Sequence, residues 1–195
     1  MLTKYKKLAE SVLEPAVAPL AKANPNVITL LGSIPSLLFF VAVLNHHYFL
    51  ALLTCVLHMV DMLDGMIARK YHKVTAFGGF LDSTIDRVSD FFIITAFAFG
   101  GIVRWEIVAP LLLAAFLTSY IRSRGELAKR EVNFAVGLVE RTERIIGLFL
   151  TLALYMLMPN MQISGFNVAE FGLFLLVLLS FYTVLQRIGY AYKKL

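Results

Sequence analysis

Apolar residues in this chain run in long unbroken blocks, where a soluble protein would space them in short amphipathic turns or strict alternation. Blocks of about 20 residues, the length needed to cross hydrocarbon, cover 27–44, 48–68, 79–103, 107–123, 136–157 and 168–188. The pattern predicts an all-α integral membrane protein of six transmembrane helices, because a helix satisfies its own backbone polar groups in lipid. Residues 1–21 differ in character. Leu2, Tyr5, Leu8, Val12, Ala16 and Leu20 recur every three or four positions, with lysines and glutamates on the other face. That predicts an N-terminal amphipathic interfacial helix, interrupted near Pro15 and Pro19. Pro25-Asn26 then opens the first span, with Asn26 as its N-cap and Thr29 three residues on.

Composition fits this picture. The chain is 59% hydrophobic and 16% charged, against about 25% charged in an ordinary soluble domain. No linker, repeat or low-complexity tract divides it, so residues 1–195 are expected to form one domain, with 27–188 as the transmembrane bundle. The first thirty residues lack a short apolar stretch followed by a small-residue cleavage site, so no removable leader is expected. Basic residues cluster before the first span (Lys4, Lys6, Lys7, Lys22), after the second (Arg69, Lys70, Lys73), around the fourth and fifth (Arg122, Arg124, Lys129, Arg130, Arg141, Arg144) and after the sixth (Lys193, Lys194), while the opposite side carries Arg104. The bias sets both termini in the cytoplasm of a multi-pass cell-membrane protein. It also accounts for the net charge of +5 without nucleic acid as a partner. Cys55 stands alone mid-span and reads as a small core residue. Trp105, Tyr48 and Phe49 fall at the expected outer interface, and Tyr5, Tyr71, Tyr190 and Tyr192 at the inner one.

Between Asp61 and Asp86 four carboxylates interrupt a sequence otherwise suited to a bilayer. A carboxylate near hydrocarbon costs about 2.5 kcal/mol or more, so four together need cations, water or both. On a helix, Asp61, Asp64, Gly65 and Ala68 share one stripe, and Gly78, Asp82 and Asp86 share another on the next helix. Counting ~1.5 Å per residue from Tyr48 puts Asp61 about 20 Å in, within the inner half of the membrane. The two stripes are expected to face each other in a cavity open to the cytoplasm. Two divalent cations would balance the charge, and oxygen ligation suits magnesium, manganese or calcium better than zinc. A dinuclear site of this kind serves phosphoryl transfer. Gly65 and Gly78 would let a phosphate approach the backbone, and Arg69 offers a fork for its oxygens, which points to a nucleotide-diphosphate substrate. The bland alternative is a set of aspartates that only pair with Arg69, Arg87 and Lys70, and a divalent-cation transporter is a third possibility. Four acids at these spacings with paired glycines favour chemistry, and the outer halves of the spans offer no polar exit for an ion.

The run Asp61-x2-Asp64-Gly65-x2-Ala68-Arg69-x8-Gly78-x3-Asp82-x3-Asp86 resembles the complete signature of the CDP-alcohol phosphotransferase family. The resemblance implies that Asp61, Asp64, Asp82 and Asp86 hold two metal ions, with Mg2+ the expected ion and Mn2+ admitted. It implies that Asp86 is also the general base on the acceptor hydroxyl. It further implies that Asp61, Asp64, Gly65, Ala68, Arg69, Thr75, Gly78 and Asp82 embrace the CDP group, together with Asn26, Val27, Ile28 and Thr29 of a P-N-x-x-T element. The acceptor hydroxyl would attack the β-phosphorus and expel CMP, and the enzyme would work as a homodimer.

The second half of the chain bears on the acceptor. The segments 119–124 and 136–144, with Arg187, are similar to the branch of the family that uses inositol phosphate. By position, Arg122, Arg144 and Arg187 would receive the acceptor phosphate, with Arg141 a fourth candidate. Arginine forks suit a phosphate with paired oxygens, although cytoplasmic arginines are expected in any case. The expected reaction moves the phosphatidyl-type group of a CDP-activated lipid, CDP-diacylglycerol or CDP-archaeol, to myo-inositol phosphate. Glycerol phosphate as acceptor, or CDP-inositol as donor, is the alternative. His58 is expected in a polar contact, Glu126 and Glu131 beside Lys129 and Arg130, and Asp90 beside Arg87.

Overall fold

Pro35 divides the first apolar run in two. With no N–H to donate, it interrupts the helical ladder near Ser33, separating α1 (Pro25–Gly32) from α2 (Ile34–Leu44). The Ser33 hydroxyl donates to the Leu30 carbonyl at 2.8 Å and the Ser36 hydroxyl to the Ser33 carbonyl at 2.6 Å, so the local carbonyls still find donors. The computed structural model describes residues 25–58, 75–163 and 165–195. After α2 come α3 (Tyr48–His58), α4 (Ala76–Phe99), α5 (Trp105–Ala128), α6 (Arg141–Leu157), a two-stranded antiparallel hairpin of β1 (Gln162–Ile163) and β2 (Phe166–Asn167), and α7 (Val168–Lys194).

Among the described residues, Asn26–Leu44, Trp105–Ala128 and Val168–Lys194 are long and apolar enough to cross a membrane, with mean hydropathies of 2.4, 1.3 and 2.2. Helix α4 has 24 residues, so its length also suffices, but it carries Asp82, Asp86, Arg87 and Asp90. Several expected boundaries move. The third span ends at Phe99, because Gly100 and Gly101 open a turn in which the Ile102 and Val103 amides both return to the Phe97 carbonyl. The fifth starts at Arg141 instead of 136, since Glu140 and Glu143 form a reciprocal capping box. Asn26 lies inside the first turn of α1, not before it. The amphipathic segment 1–21 and the second span beyond His58 lie outside the described residues.

Helix α7 packs on both α5 and α6, and α2 packs between α3 and α4. Phe39, Phe97 and Phe149 fill the centre, with Phe39 edge-on to Phe149 at 5.0 Å. Leu37, Val41, Leu50, Leu113, Leu150, Leu178 and Leu185 face outward, a surface that belongs in hydrocarbon and not in water. Cys55 is exposed on this surface, which corrects its expected place in the core. The termini of the helices bring the starts of α1, α4 and α6 and the ends of α5 and α7 to one end of the bundle.

Candidate active site

Helix α4 begins at Thr75, whose hydroxyl accepts the Gly78 amide at 2.9 Å. A Cβ on Gly78 would lie 3.3 Å from the Asn26 side-chain oxygen, so the start of α1 meets the start of α4 closely. Asn26, distant from Thr75 and Gly78 in sequence, is therefore their neighbour in space. Ile28 and Thr29 are buried just beyond them, whereas Val27 is half-exposed on the outside of the helix.

Down the same helix the carboxylates pass from water into the protein: Asp82 is exposed, Asp86 partly buried and Asp90 buried. The spacing of four residues keeps all three on one stripe. Opposite them stand the first residues of α6. Arg141 reaches the Asp86 carboxylate through Nη1 at 2.7 Å and the Asp90 Oδ1 through Nε at 3.2 Å. Arg144 reaches Asp90 Oδ2 through Nη2 at 3.2 Å. Arg87 pairs with Asp86 at 3.2 Å and approaches Asp90 at 3.8 Å. Two carboxylates thus face three guanidiniums. Arg144 is 2% exposed, and its Nε and Nη1 find no hydrogen-bond partner among the described residues. Buried donors left unmade are costly, so these two nitrogens stand out among the described residues.

The connection 129–140 brings α6 to this position because it is fastened along α7. The Val139 amide donates to the Thr183 hydroxyl and the Leu138 amide to the Gln186 side chain, each at 3.0 Å. Gly137 has φ +148°, and a Cβ there would meet the Thr183 methyl at 2.3 Å. A glycine is required on both counts. The fully buried Phe134 ring lies against Gly125, where a Cβ would come within 2.6 Å of it.

Arg187 completes the fastening. Its Nε donates to the Val136 carbonyl at 2.7 Å, its Nη1 to the Thr118 carbonyl, and its Nη2 pairs with Glu140 at 3.1 Å. The arginines grouped from sequence as one phosphate pocket therefore sit differently. Arg144 and Arg141 flank the carboxylate stripe, and Arg187 is engaged with the wall of the connection. Arg122 is half-exposed and pairs with Glu126 at 2.9 Å, a partner expected instead for Lys129 or Arg130. His58 makes the expected polar contact, with the Thr54 carbonyl at 2.8 Å.

Asp61, Asp64, Gly65, Ala68 and Arg69 lie outside the described residues. Among the described residues no group of three His, Cys, Asp or Glu side chains gathers to hold a metal. The two described candidates, Asp82 and Asp86, supply carboxylate oxygens one turn apart, a donor set that fits a hard divalent cation. Sequence reasoning underrated Asp90 and Glu140. The signal was present in the four-residue repeat 78, 82, 86, 90 and in the i, i+3 pair of Arg141 and Arg144.

The model of the family described as CDP-alcohol phosphatidyltransferase matches residues 22–185. The chain is 37% identical to archaetidylinositol phosphate synthase of Pyrococcus horikoshii, over 100% of this chain and 98% of that one. It is 31% identical to phosphatidylinositol phosphate synthase of Corynebacterium glutamicum, over 96% of this chain and 87% of that one. Its fold is similar to that of Mycobacterium tuberculosis phosphatidylinositol phosphate synthase with CDP-DAG bound, with TM-score 0.78 and 24% identity over 91% of this chain and 92% of that one. The same enzyme in complex with manganese and citrate matches with TM-score 0.76 and 24% identity, over 91% of this chain and 88% of that one. The match spans both the carboxylate helix and the arginine-bearing helix that faces it, and the chain belongs to the CDP-alcohol phosphatidyltransferase family.

Proposed function

We propose that the protein is a membrane transferase that moves the phosphatidyl-type group of a CDP-activated lipid, CDP-diacylglycerol or CDP-archaeol, to myo-inositol phosphate and releases CMP. The observation that carries this reading is the juxtaposition of the α4 carboxylates with Arg141 and Arg144, a base beside an anion receiver. The names of the relatives support inositol phosphate over glycerol phosphate, since the arginines answer to either phosphate.

In this reading Asn26, Val27, Ile28 and Thr29 join Gly65, Ala68, Arg69, Thr75 and Gly78 around the CDP group, with Asp61, Asp64 and Asp82 on its phosphate side. Asp61, Asp64, Asp82 and Asp86 would hold the two divalent cations, for which Mg2+ is the proposed ion and which, when bound, supply charge stabilisation for phosphoryl transfer. Arg144 takes the acceptor phosphate through Nε and Nη1, Arg141 flanks it, Arg122 stands at the rim, and Arg187 holds the wall. That contact orients the acceptor so that its hydroxyl lies by Asp86. The Asp86 carboxylate removes the hydroxyl proton as the oxygen attacks the β-phosphorus. Arg141 and Arg87 both pair with that carboxylate and fix where its oxygens lie.

The proposed architecture is a single domain over 1–195 with six spans. An interfacial helix precedes them, both termini and the site face the cytoplasm in the cell membrane, and the protein works as a homodimer. Purified protein with CDP-lipid, labelled inositol phosphate and magnesium is expected to release CMP. Asp86→Asn should lower the rate by about a thousandfold, within the range of a lost general base, while binding CDP-lipid nearly as well. Metal flux in proteoliposomes without CMP formation would replace the enzyme with a transporter.

A further inference from the structure

Asp90 belongs to none of the metal-holding, CDP-embracing or phosphate-receiving sets, yet its side chain is only 1% exposed, the most enclosed of the α4 stripe. Burying a carboxylate is expensive unless both oxygens are engaged. Here Oδ1 takes Arg141 Nε and Oδ2 takes Arg144 Nη2, both at 3.2 Å, with Arg87 Nε at 3.8 Å from Oδ2. A carboxylate that holds one nitrogen from each of two guanidiniums fixes where both point and spends neither completely. Arg144, almost without solvent contact, keeps two donors unpartnered among the described residues. Arg141 is shared further, with Asp86 at 2.7 Å.

We infer that Asp90 is a positioning residue for the acceptor: it holds Arg144 with two donors turned to the incoming phosphate, and holds Arg141 so that the phosphate-bearing substrate sits beside Asp86. The inference rests on the acceptor reading above and deepens it. Asp90 touches neither substrate. It acts through the two arginines, and its effect falls on the acceptor and not on the nucleotide.

The test uses the full chain in detergent with CDP-lipid and inositol phosphate varied separately. Asp90→Asn keeps the shape of the side chain but offers one acceptor oxygen where two cations need two. Its acceptor KM should rise about tenfold or more, the scale of a misplaced binding group, with the CDP-lipid KM within about twofold of the wild type. Direct binding of labelled inositol phosphate should weaken in parallel. A carboxylate with a merely structural role would lower the active fraction and leave both KM values unmoved, which overturns the inference. Should Asp90→Asn fail to fold, Asp90→Glu, with the charge on a longer arm, carries the same test: a selective rise in acceptor KM supports it and an unchanged one overturns it. A wild type that makes no CMP from inositol phosphate removes the acceptor reading, and this inference with it. A working wild type with unmoved variants removes this inference alone.

Discussion

The two ends of the bundle are each tied by arginine–carboxylate contacts, but only one set closes on itself. At the end opposite the site, Arg104 pairs with Glu170 at 2.7 Å and lies over the Phe166 ring at 5.1 Å. Glu170 and Asn167 cap each other reciprocally, and Asn167 also donates to the Ile102 carbonyl at 2.8 Å. One cation meets one carboxylate, and each of these side chains has its partners in place. At the site end three guanidiniums meet two carboxylates, and the buried Arg144 keeps two donors without partners among the described residues. The first arrangement fastens the chain. The second leaves donors unmatched among the described residues, so the balance of donors and acceptors, more than the number of ion pairs, sets the two ends apart.

Breaking the open set should cost most. Arg144→Ala removes charged hydrogen bonds each worth about 1.5–3 kcal/mol, so the acceptor KM should rise about a hundredfold, measured by initial rates of CMP release with the CDP-lipid saturating. Next comes the loop that presents α6. Gly137→Ala forces a side chain into a positive-φ position against Thr183, at a cost of about 2–4 kcal/mol in stability. Thermal unfolding in detergent should show that loss, along with a weaker acceptor KM as Arg141 and Arg144 lose their support. The closed set should matter least. Arg104→Ala breaks a contact whose arginine side chain is 58% exposed, so the loss should be about 1 kcal/mol or less, with both KM values unchanged. A kinetic effect there would erase the distinction between the two ends.

How far the chain could be read in advance follows the same division. Long apolar runs announce helices because lipid leaves the backbone no alternative, and α5 and α7 cover the runs expected at 107–123 and 168–188, while the run at 27–44 is divided into α1 and α2. The start of α6 was misjudged because Val136, Leu138 and Val139 are apolar in a segment whose backbone is fastened to Thr183, Gln186 and Arg187, partners more than forty positions away. The meeting of Asn26 with Gly78 was legible only as a resemblance, since no local pattern links α1 to α4. Arg122, Arg141, Arg144 and Arg187 all fall on one side of the predicted spans, so sequence could not tell Arg144, whose Nε and Nη1 lack partners among the described residues, from Arg187, which holds carbonyls. Only their partners separate them, and these come from distant parts of the chain.

If Arg144 receives a phosphate on the acceptor, CMP release must depend on that phosphate and on this arginine. The most direct measurement compares CMP release from CDP-lipid with inositol phosphate and with free myo-inositol, using the wild type and Arg144→Ala. Turnover is expected with inositol phosphate alone, and the variant should lose most of it. Equal use of free myo-inositol, or a variant as active as the wild type, would contradict that role for Arg144.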